Sequence, residues 1–167
     1  MAPDTYTTIG WREWVGLPEL KTEWIKCKVD TGARSSSLHA FDIELFEHDC
    51  ARWVRFEVHP WQGSAMDAVR VEAPLADLRT VKSSSGKSEE RPVIRSLVVI
   101  AGQQHAIDIT LTLRDEMGFR MLLGREALRR RFVVDPGSSY LAGRPPPAVR
   151  EANRRVPDEG LLPGEDD

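Results

Sequence analysis

The chain is expected to fold as an all-β domain, closed or strongly curled on itself. Three observations predict this. Short segments in which apolar and polar residues alternate recur along most of its 167 residues. Turn-forming Gly, Pro, Asp and Ser clusters separate those segments. A helical pattern appears only once, late in the chain, so the expected domain is all-β with one short C-terminal helix. With 41% apolar residues there is material for a genuine core in one domain.

The elements follow in order. Residues 1–8 are polar and read as a frayed N-terminus. Ile9 to Val15, carrying Trp11 and Trp14, reads as a strand, and Gly16-Leu17-Pro18-Glu19 as a turn. In Trp24 to Val29, Ile25, Cys27 and Val29 alternate with Lys26 and Lys28, the period-2 pattern of a half-buried strand. A strand from Ser37 to Glu44 is expected next. From Arg52 to His59 the residues Val54, Phe56 and Val58 share one face, and Trp53, Arg55, Glu57 and His59 the other. After the turn Pro60-Trp61-Gln62-Gly63-Ser64, a short strand spans Ala68 to Glu72. The polar stretch Ser83 to Glu90 reads as a mobile loop within the domain, because strand signals resume after it.

Val93 to Ile100 is strongly apolar, and Ala101 to Gln104 reads as a hairpin turn. The following strand puts Ile107, Ile109, Leu111 and Leu113 on one face and Asp108, Thr110 and Thr112 on the other. Met121-Leu122-Leu123-Gly124 is a short buried strand, Arg125 to Arg131 a short helix, and Phe132-Val133-Val134 a last strand closed by Asp135-Pro136-Gly137. From Arg144 onward, prolines and mixed charge without periodicity imply a disordered tail. The division is therefore 1–8 frayed terminus, 9–142 folded domain and 143–167 tail, with roughly seven to nine short strands.

Composition excludes several function classes. A net charge of −3 carries no basic excess for nucleic acid. No apolar run reaches the 18 to 20 or so residues of a membrane helix, and the N-terminus lacks a basic-then-apolar signal region. A soluble cytoplasmic protein without a membrane or nucleic-acid partner is the expectation. Cys27 and Cys50 form no CxxC pair, and Cys27 falls on the inward face of a strand, the position of a buried free thiol.

The chemically pointed place is Asp30-Thr31-Gly32-Ala33, which closes the strand carrying Cys27. A carboxylate at a strand end is commonly a turn residue bonding its own backbone. Here a glycine follows, which permits unusual backbone conformations and close approach by other chain, and Thr31 adds a hydroxyl that can hold the turn from outside.

Val29-Asp30-Thr31-Gly32-Ala33 resembles the active-site loop of aspartic peptidases, the retropepsin-like ones most closely. Leu122-Leu123-Gly124-Arg125-Glu126-Ala127-Leu128 resembles the second half of that signature. A closer likeness joins Lys28 to Ala40, Glu90-Arg91-Pro92-Val93-Ile94, Leu111 to Met117, Met121 to Arg125 and Val134-Asp135-Pro136. Together they resemble a bacterial retropepsin-like family often labelled an ATP-dependent zinc protease. That family is associated with the ATP-grasp ligase that adds glutamates to a ribosomal protein. The resemblance covers about residues 9–141, with Leu113 a small departure where a polar residue is expected. It implies a closed retropepsin-like barrel and an aspartic-type peptidase in which Asp30, Thr31 and Gly32 form the catalytic turn.

The implied mechanism is general acid–base hydrolysis by two aspartates sharing one proton across a water. One Asp-Thr-Gly is present, so the second aspartate is expected from a symmetric partner, and a homodimer follows. No HExxH occurs, and His39, His48, His59 and His105 show none of the usual ligand spacings. No cofactor or metal is expected, and zinc catalysis is the minor alternative.

Arg34 follows the turn and, beside Ala33, is a candidate for holding a substrate carboxylate through its planar guanidinium. Lys28, Arg91 and Arg114 are further candidates, although Arg114 has possible ion-pair partners in Asp115, Glu116 or Asp135. An acidic peptide or protein tail is thus the expected substrate, with a ribosomal protein and the ligase as partners the resemblance implies. The alternative class is a non-catalytic module that binds acidic peptides on the same barrel. Trp61 with Gly63, and Ser83 to Glu90, are candidates for a flap over the site. Arg129-Arg130-Arg131 reads as a helix end complementing its dipole rather than a nucleic-acid contact.

Overall fold

The computed structural model describes residues 5–61, 66–82, 85–113 and 118–153. The expected all-β architecture is what forms, as a closed six-strand barrel with two small helices. Ten strands run in order: β1 (Thr7–Leu17), β2 (Thr22–Asp30), β3 (Ser36–His48), β4 (Ala51–Val58), β5 (Val69–Pro74), β6 (Asp77–Lys82), β7 (Ser88–Ile100), β8 (Gln103–Thr112), β9 (Met121–Gly124) and β10 (Phe132–Ser139). Helix α1 (Arg125–Leu128) lies between β9 and β10, and α2 (Pro147–Asn153) follows them.

The barrel ring runs β1-β2-β9-β3-β8-β7, and β7 returns to β1 where Val99 meets Gly16. Strand β10 extends the sheet beyond β1, and β6 beyond β7. The β3–β4–β5 antiparallel ladder leaves the ring through the far half of β3. That strand serves both ladders because it bends at Asp42, whose φ is +51°, beside a register shift between Phe41 and Glu44.

The period-2 segments bury the faces they predict. Val54, Phe56 and Val58 are wholly buried, as are Ile25, Cys27 and Ile109. The same alternation breaks where β8 ends. Ile107, Ile109 and Leu111 point inward, but the strand stops at Thr112 and Leu113 is 62% exposed. The expected turn at Ala101 to Gln104 is tighter than read: Ala101 and Gly102 both take positive φ (50° and 76°), and pairing resumes at Gln103. Two adjacent residues with positive φ make the hairpin turn that matches strand twist.

Four elements differ from expectation. Strand β6 carries no clean alternation because its residues are exposed or half-buried at the sheet edge, paired only with β7. The stretch expected as a loop from Ser83 to Glu90 instead has Ser88, Glu89 and Glu90 paired as strand with Lys82, Val81 and Thr80; residues 83 and 84 lie outside the described residues. Strand β10 continues through Asp135-Pro136-Gly137 because it is an edge strand bonded to β1 alone, where proline costs no ladder bond. The segment read as tail carries α2, whose Val149 packs against a cluster of Trp14, Trp61 and Tyr140.

Strand β1 is the most irregular inner strand. Gly10 lies flat against β10, where an added Cβ would collide with the Ser138 carbonyl. Glu13 is wholly buried and accepts the backbone N–H groups of Gly10 at 2.7 Å, Leu141 at 3.0 Å and Ala142 at 2.9 Å. A buried carboxylate needs such donors, and these tie the chain after β10 back onto the barrel. Among the described residues no helix is long and apolar enough to cross a membrane.

Candidate active site

Strand β2 delivers Asp30, and β9 runs parallel beside it. Cys27 meets Met121, Val29 meets Leu123, and Asp30 meets Gly124 at the shared end. The two halves of the signature are therefore neighbours across one ladder, although most of the domain separates them in sequence.

The turn after β2 is held from inside by its own aspartate. Asp30 Oδ1 accepts the backbone N–H groups of Gly32 at 2.9 Å and Ala33 at 3.2 Å. Asp30 thus makes the backbone bonds of a turn aspartate with one oxygen. Oδ2 has no hydrogen-bond partner among the described residues. Gly32 does not take a left-handed φ, and an added Cβ would stand 3.1 Å from Asp30 Oδ1, a tight contact that the carboxylate would have to ease. Thr31 and Gly32 are exposed, and Asp30 and Ala33 are half-buried.

The late segment grips this turn from outside. Arg125 N–H donates to the Ala33 carbonyl at 2.8 Å, and Glu126 N–H to the Arg34 carbonyl at 3.1 Å. The Arg125 Nη1 donates to the Gly32 carbonyl at 3.2 Å. Gly124 N–H donates to Ser36 Oγ at 3.1 Å, a buried bond, and a side chain on Gly124 would collide with the Ser35 carbonyl. Here glycine is demanded by the close approach of two backbones.

Arg34 lies on the rim of the turn with its side chain 78% exposed, and its Nε donates to Glu126 Oε1 at 2.8 Å. The hydrogen bond and the charge of Glu126 raise the Arg34 pKa, and the reciprocal bond lowers that of Glu126. Glu126 also walls a polar cavity of about 240 Å³ with Ser35, Ser36, Arg95, Asp108 and Arg129. Two larger cavities of about 490 and 500 Å³ flank Trp24 near the opposite end of β2, away from Asp30.

Of the residues singled out from sequence, Asp30, Thr31, Gly32, Ala33 and Arg34 come together with Gly124, Arg125 and Glu126. Arg91 lies on β7 opposite Arg79, with Nη2 3.6 Å from Glu89, and Arg95 on the same strand is in register with Asp108 at the cavity. Arg114 lies outside the described residues. Arg125, Glu126 and Ser36 are not site candidates on sequence grounds, although the first two belong to the Leu-Leu-Gly segment. Ser36 carried no signal beyond its place in a serine run.

Of the flap candidates, Trp61 is pinned rather than free. It is 7% exposed, its ring centroid is 5.1 Å from that of Trp14, and its indole N–H donates to Asp67 at 3.1 Å. Gly63 lies outside the described residues. Two of the four histidines share one place. His39 and His59 both stack on Phe41, with ring centroids 4.4 and 3.8 Å from its own, and His59 also neighbours Glu57. His48 neighbours Asp49, and His105 Nε2 donates to the Ala127 carbonyl at 2.8 Å. Among the described residues no three His, Cys, Asp or Glu side chains are grouped to hold a metal.

A closed barrel in which an Asp-Thr-Gly turn and a Leu-Leu-Gly strand end side by side defines a retropepsin-like domain. Residues 8–145 match the RimB-like family, described as retropepsin-like aspartic endopeptidase RimB, and the chain belongs to that family. It is 45% identical over 140 residues to a probable alpha-L-glutamate ligase of Shewanella pealeana, covering 84% of this chain and 31% of that protein. It is 48% identical over 135 residues to a probable alpha-L-glutamate ligase of Parasynechococcus marenigrum, covering 81% and 29%. The chain thus spans about three-tenths of the length of these curated relatives. Among solved structures it resembles protein Lpg0085 of Legionella pneumophila, a protein of unknown function. That match has a TM-score of 0.68 and 26% identity, covering 83% of this chain and 99% of that one.

Proposed function

We propose that this domain is an aspartic-type peptidase that works as a symmetric homodimer, with Asp30 of each subunit sharing one proton and one water. The observation that carries this reading is the state of Asp30. One carboxylate oxygen is committed to the turn and the other has no hydrogen-bond partner among the described residues, on a strand end clamped by Gly124. A single carboxylate cannot be both base and acid in one step. Two brought together by a two-fold axis can, because like charges that close cannot both ionise and the pair retains a proton. The ionised member takes a proton from water as its oxygen adds to the carbonyl carbon, while the other gives its proton to the carbonyl oxygen. As that tetrahedral species collapses, the C–N bond breaks, the leaving amine takes the proton that the first aspartate gained from water, and the second aspartate takes back a proton from a hydroxyl of the diol. The exposed Thr31 and Gly32 leave the outer face of the turn open to a second subunit.

The rim supports an acidic substrate class. Arg34, Arg125 and Arg129 are exposed around the turn, and guanidinium groups favour carboxylates. Relatives named glutamate ligases contain a homologous segment within a longer chain, and glutamate addition produces acidic tails. Acidic, glutamate-rich peptides are the substrates of this reading, with such a ligase and its protein substrate as partners. The test is hydrolysis of a glutamate-rich peptide by the wild type and by Asp30→Asn, with circular dichroism and sedimentation run alongside. Loss of turnover with fold and dimer retained is expected. Turnover retained in Asp30→Asn overturns the aspartic mechanism. Binding without turnover in the wild type favours the binding module instead.

A further inference from the structure

We infer that Glu126 is a positioning residue that aims the Arg34 guanidinium at a substrate carboxylate, and that the two-fold axis sets one such pair on each side of the scissile bond. This rests on the peptidase reading above and deepens it.

The first observation is how thoroughly the two residues are joined. Glu126 N–H donates to the Arg34 carbonyl at 3.1 Å, and Arg34 Nε donates to Glu126 Oε1 at 2.8 Å. Backbone and side chain are linked across the same pair, so Arg34 is held at its root and near its tip. The second observation is exposure. The side chains are 78% and 44% accessible, and a pair this wet contributes little to folding stability. Its geometry therefore matters more than its contribution to stability.

The third observation is which donor is used. Bonding through Nε leaves the edge formed by the two Nη groups without a hydrogen-bond partner among the described residues. That edge presents two parallel N–H groups, the arrangement that matches a carboxylate. A long side chain free in solution loses rotamer freedom when it binds, and one already restrained loses less. Glu126 thus supplies preorganisation, while partly offsetting the charge it aims.

Symmetry carries the argument further. In an isologous dimer each subunit contributes the same Arg34. A peptide crossing the axis meets one guanidinium before the cut and one after it. Acidic residues on both sides are then favoured over an acidic residue on either side alone, and that over none.

The test uses four peptides of one sequence frame, with Glu before the cut, after it, on both sides or on neither. Kinetics are measured on the wild type, Glu126→Ala, Glu126→Gln and Arg34→Lys. In parallel, affinities are measured for Asp30→Asn alone and combined with each of those changes. The wild type is expected to prefer the doubly acidic peptide. Glu126→Ala is expected to raise KM for it by about 3- to 10-fold more than for the neutral peptide. Glu126→Gln, which keeps an acceptor for Nε, is expected to recover most of that preference, and Arg34→Lys to lose it.

A Glu126→Ala protein that binds acidic peptides more tightly would mean Glu126 only competes with substrate, and overturns the inference. So does an equal effect on acidic and neutral peptides, the mark of a structural role. If no peptide is cleaved, the peptidase reading fails. The affinities of the Asp30→Asn series still decide on Arg34 and Glu126.

Discussion

Gly124 donates its backbone N–H to Ser36 Oγ at 3.1 Å, and so joins the end of β9 to the start of β3. The Gly124 α-carbon lies against the Ser35 carbonyl with no room for a side chain. Gly124→Ala must push the two backbones apart, which costs about 1–3 kcal/mol. Ser36→Ala leaves a buried N–H without its partner, a loss of about 1–3 kcal/mol. Urea unfolding measures both, and a Gly124→Ala protein of wild-type stability contradicts the close packing.

Glu13 predicts a second, separable effect. Its carboxylate is buried and accepts three backbone N–H groups, two of them from Leu141 and Ala142 beyond β10. In Glu13→Gln one acceptor oxygen becomes an amide N–H₂ facing a donor. A loss of about 3 kcal/mol is expected, since bonds to charged groups contribute more and a buried unsatisfied donor is costly. Hydrogen exchange should accelerate at Leu141 and Ala142 before the barrel opens. Uniform acceleration across all strands instead would mean that Glu13 stabilises the barrel globally.

His105 makes stability depend on pH in a defined direction. Burial lowers its pKa from an ordinary 6.5, the Ala127 bond opposes that, and Arg131 adds to it. The Nδ1 atom is buried and has no partner among the described residues, so a second proton there would be unsatisfied. The unfolded chain takes up a proton more readily than the folded one. His105 therefore contributes its full stability above about pH 6.5, and that contribution falls as pH drops from there toward its lowered folded value. Urea midpoints between pH 7.5 and 5 should decline in the wild type, with a shallower slope in His105→Gln. Identical slopes would remove His105 from the account. Glu126 and Asp135, whose values are lowered by bonds from Arg34 and Ser138, act in a separate window. Their contributions are present above ordinary carboxylate values and are lost as pH falls through their lowered folded ones.

The two thiols should differ sharply in reactivity. Cys27 is wholly buried, and burial together with the nearby Glu13 charge pushes its pKa up to about 12. Cys50 is exposed, at the turn between β3 and β4. Since the thiolate is the reactive form, a disulfide reagent at pH 8 should titrate one thiol in the folded protein and two after unfolding. Cys50→Ser should leave the folded protein unreactive, and rapid labelling of that variant would contradict the burial of Cys27.

Much of this was legible beforehand where the signal is local. The alternation in Arg52 to His59 states which residues face inward, and the structure agrees at Val54, Phe56 and Val58. The same rule misplaces Lys26, which it sets outward. That side chain is 7% exposed, with its Nζ 5.9 Å from the Trp14 ring and 5.8 Å from the Phe119 ring, because a long cationic stem can lie under aromatic faces. Glu126 belongs to a recognised segment, yet nothing in its neighbours says that it reaches Arg34, since that contact spans 92 residues.

By itself the sequence determined the strand-rich character, the inward faces, the Asp30-Thr31-Gly32 turn and the Leu-Leu-Gly segment that belongs with it. These are properties of a few consecutive residues, set by side-chain period and by what glycine permits. Only the tertiary structure decided that β9 lies parallel to β2 with Asp30 level with Gly124, that Glu13 is buried, and that Arg34 is held by Glu126. Those depend on barrel closure, in which every strand's position is fixed by neighbours distant in sequence, and no local pattern encodes that register.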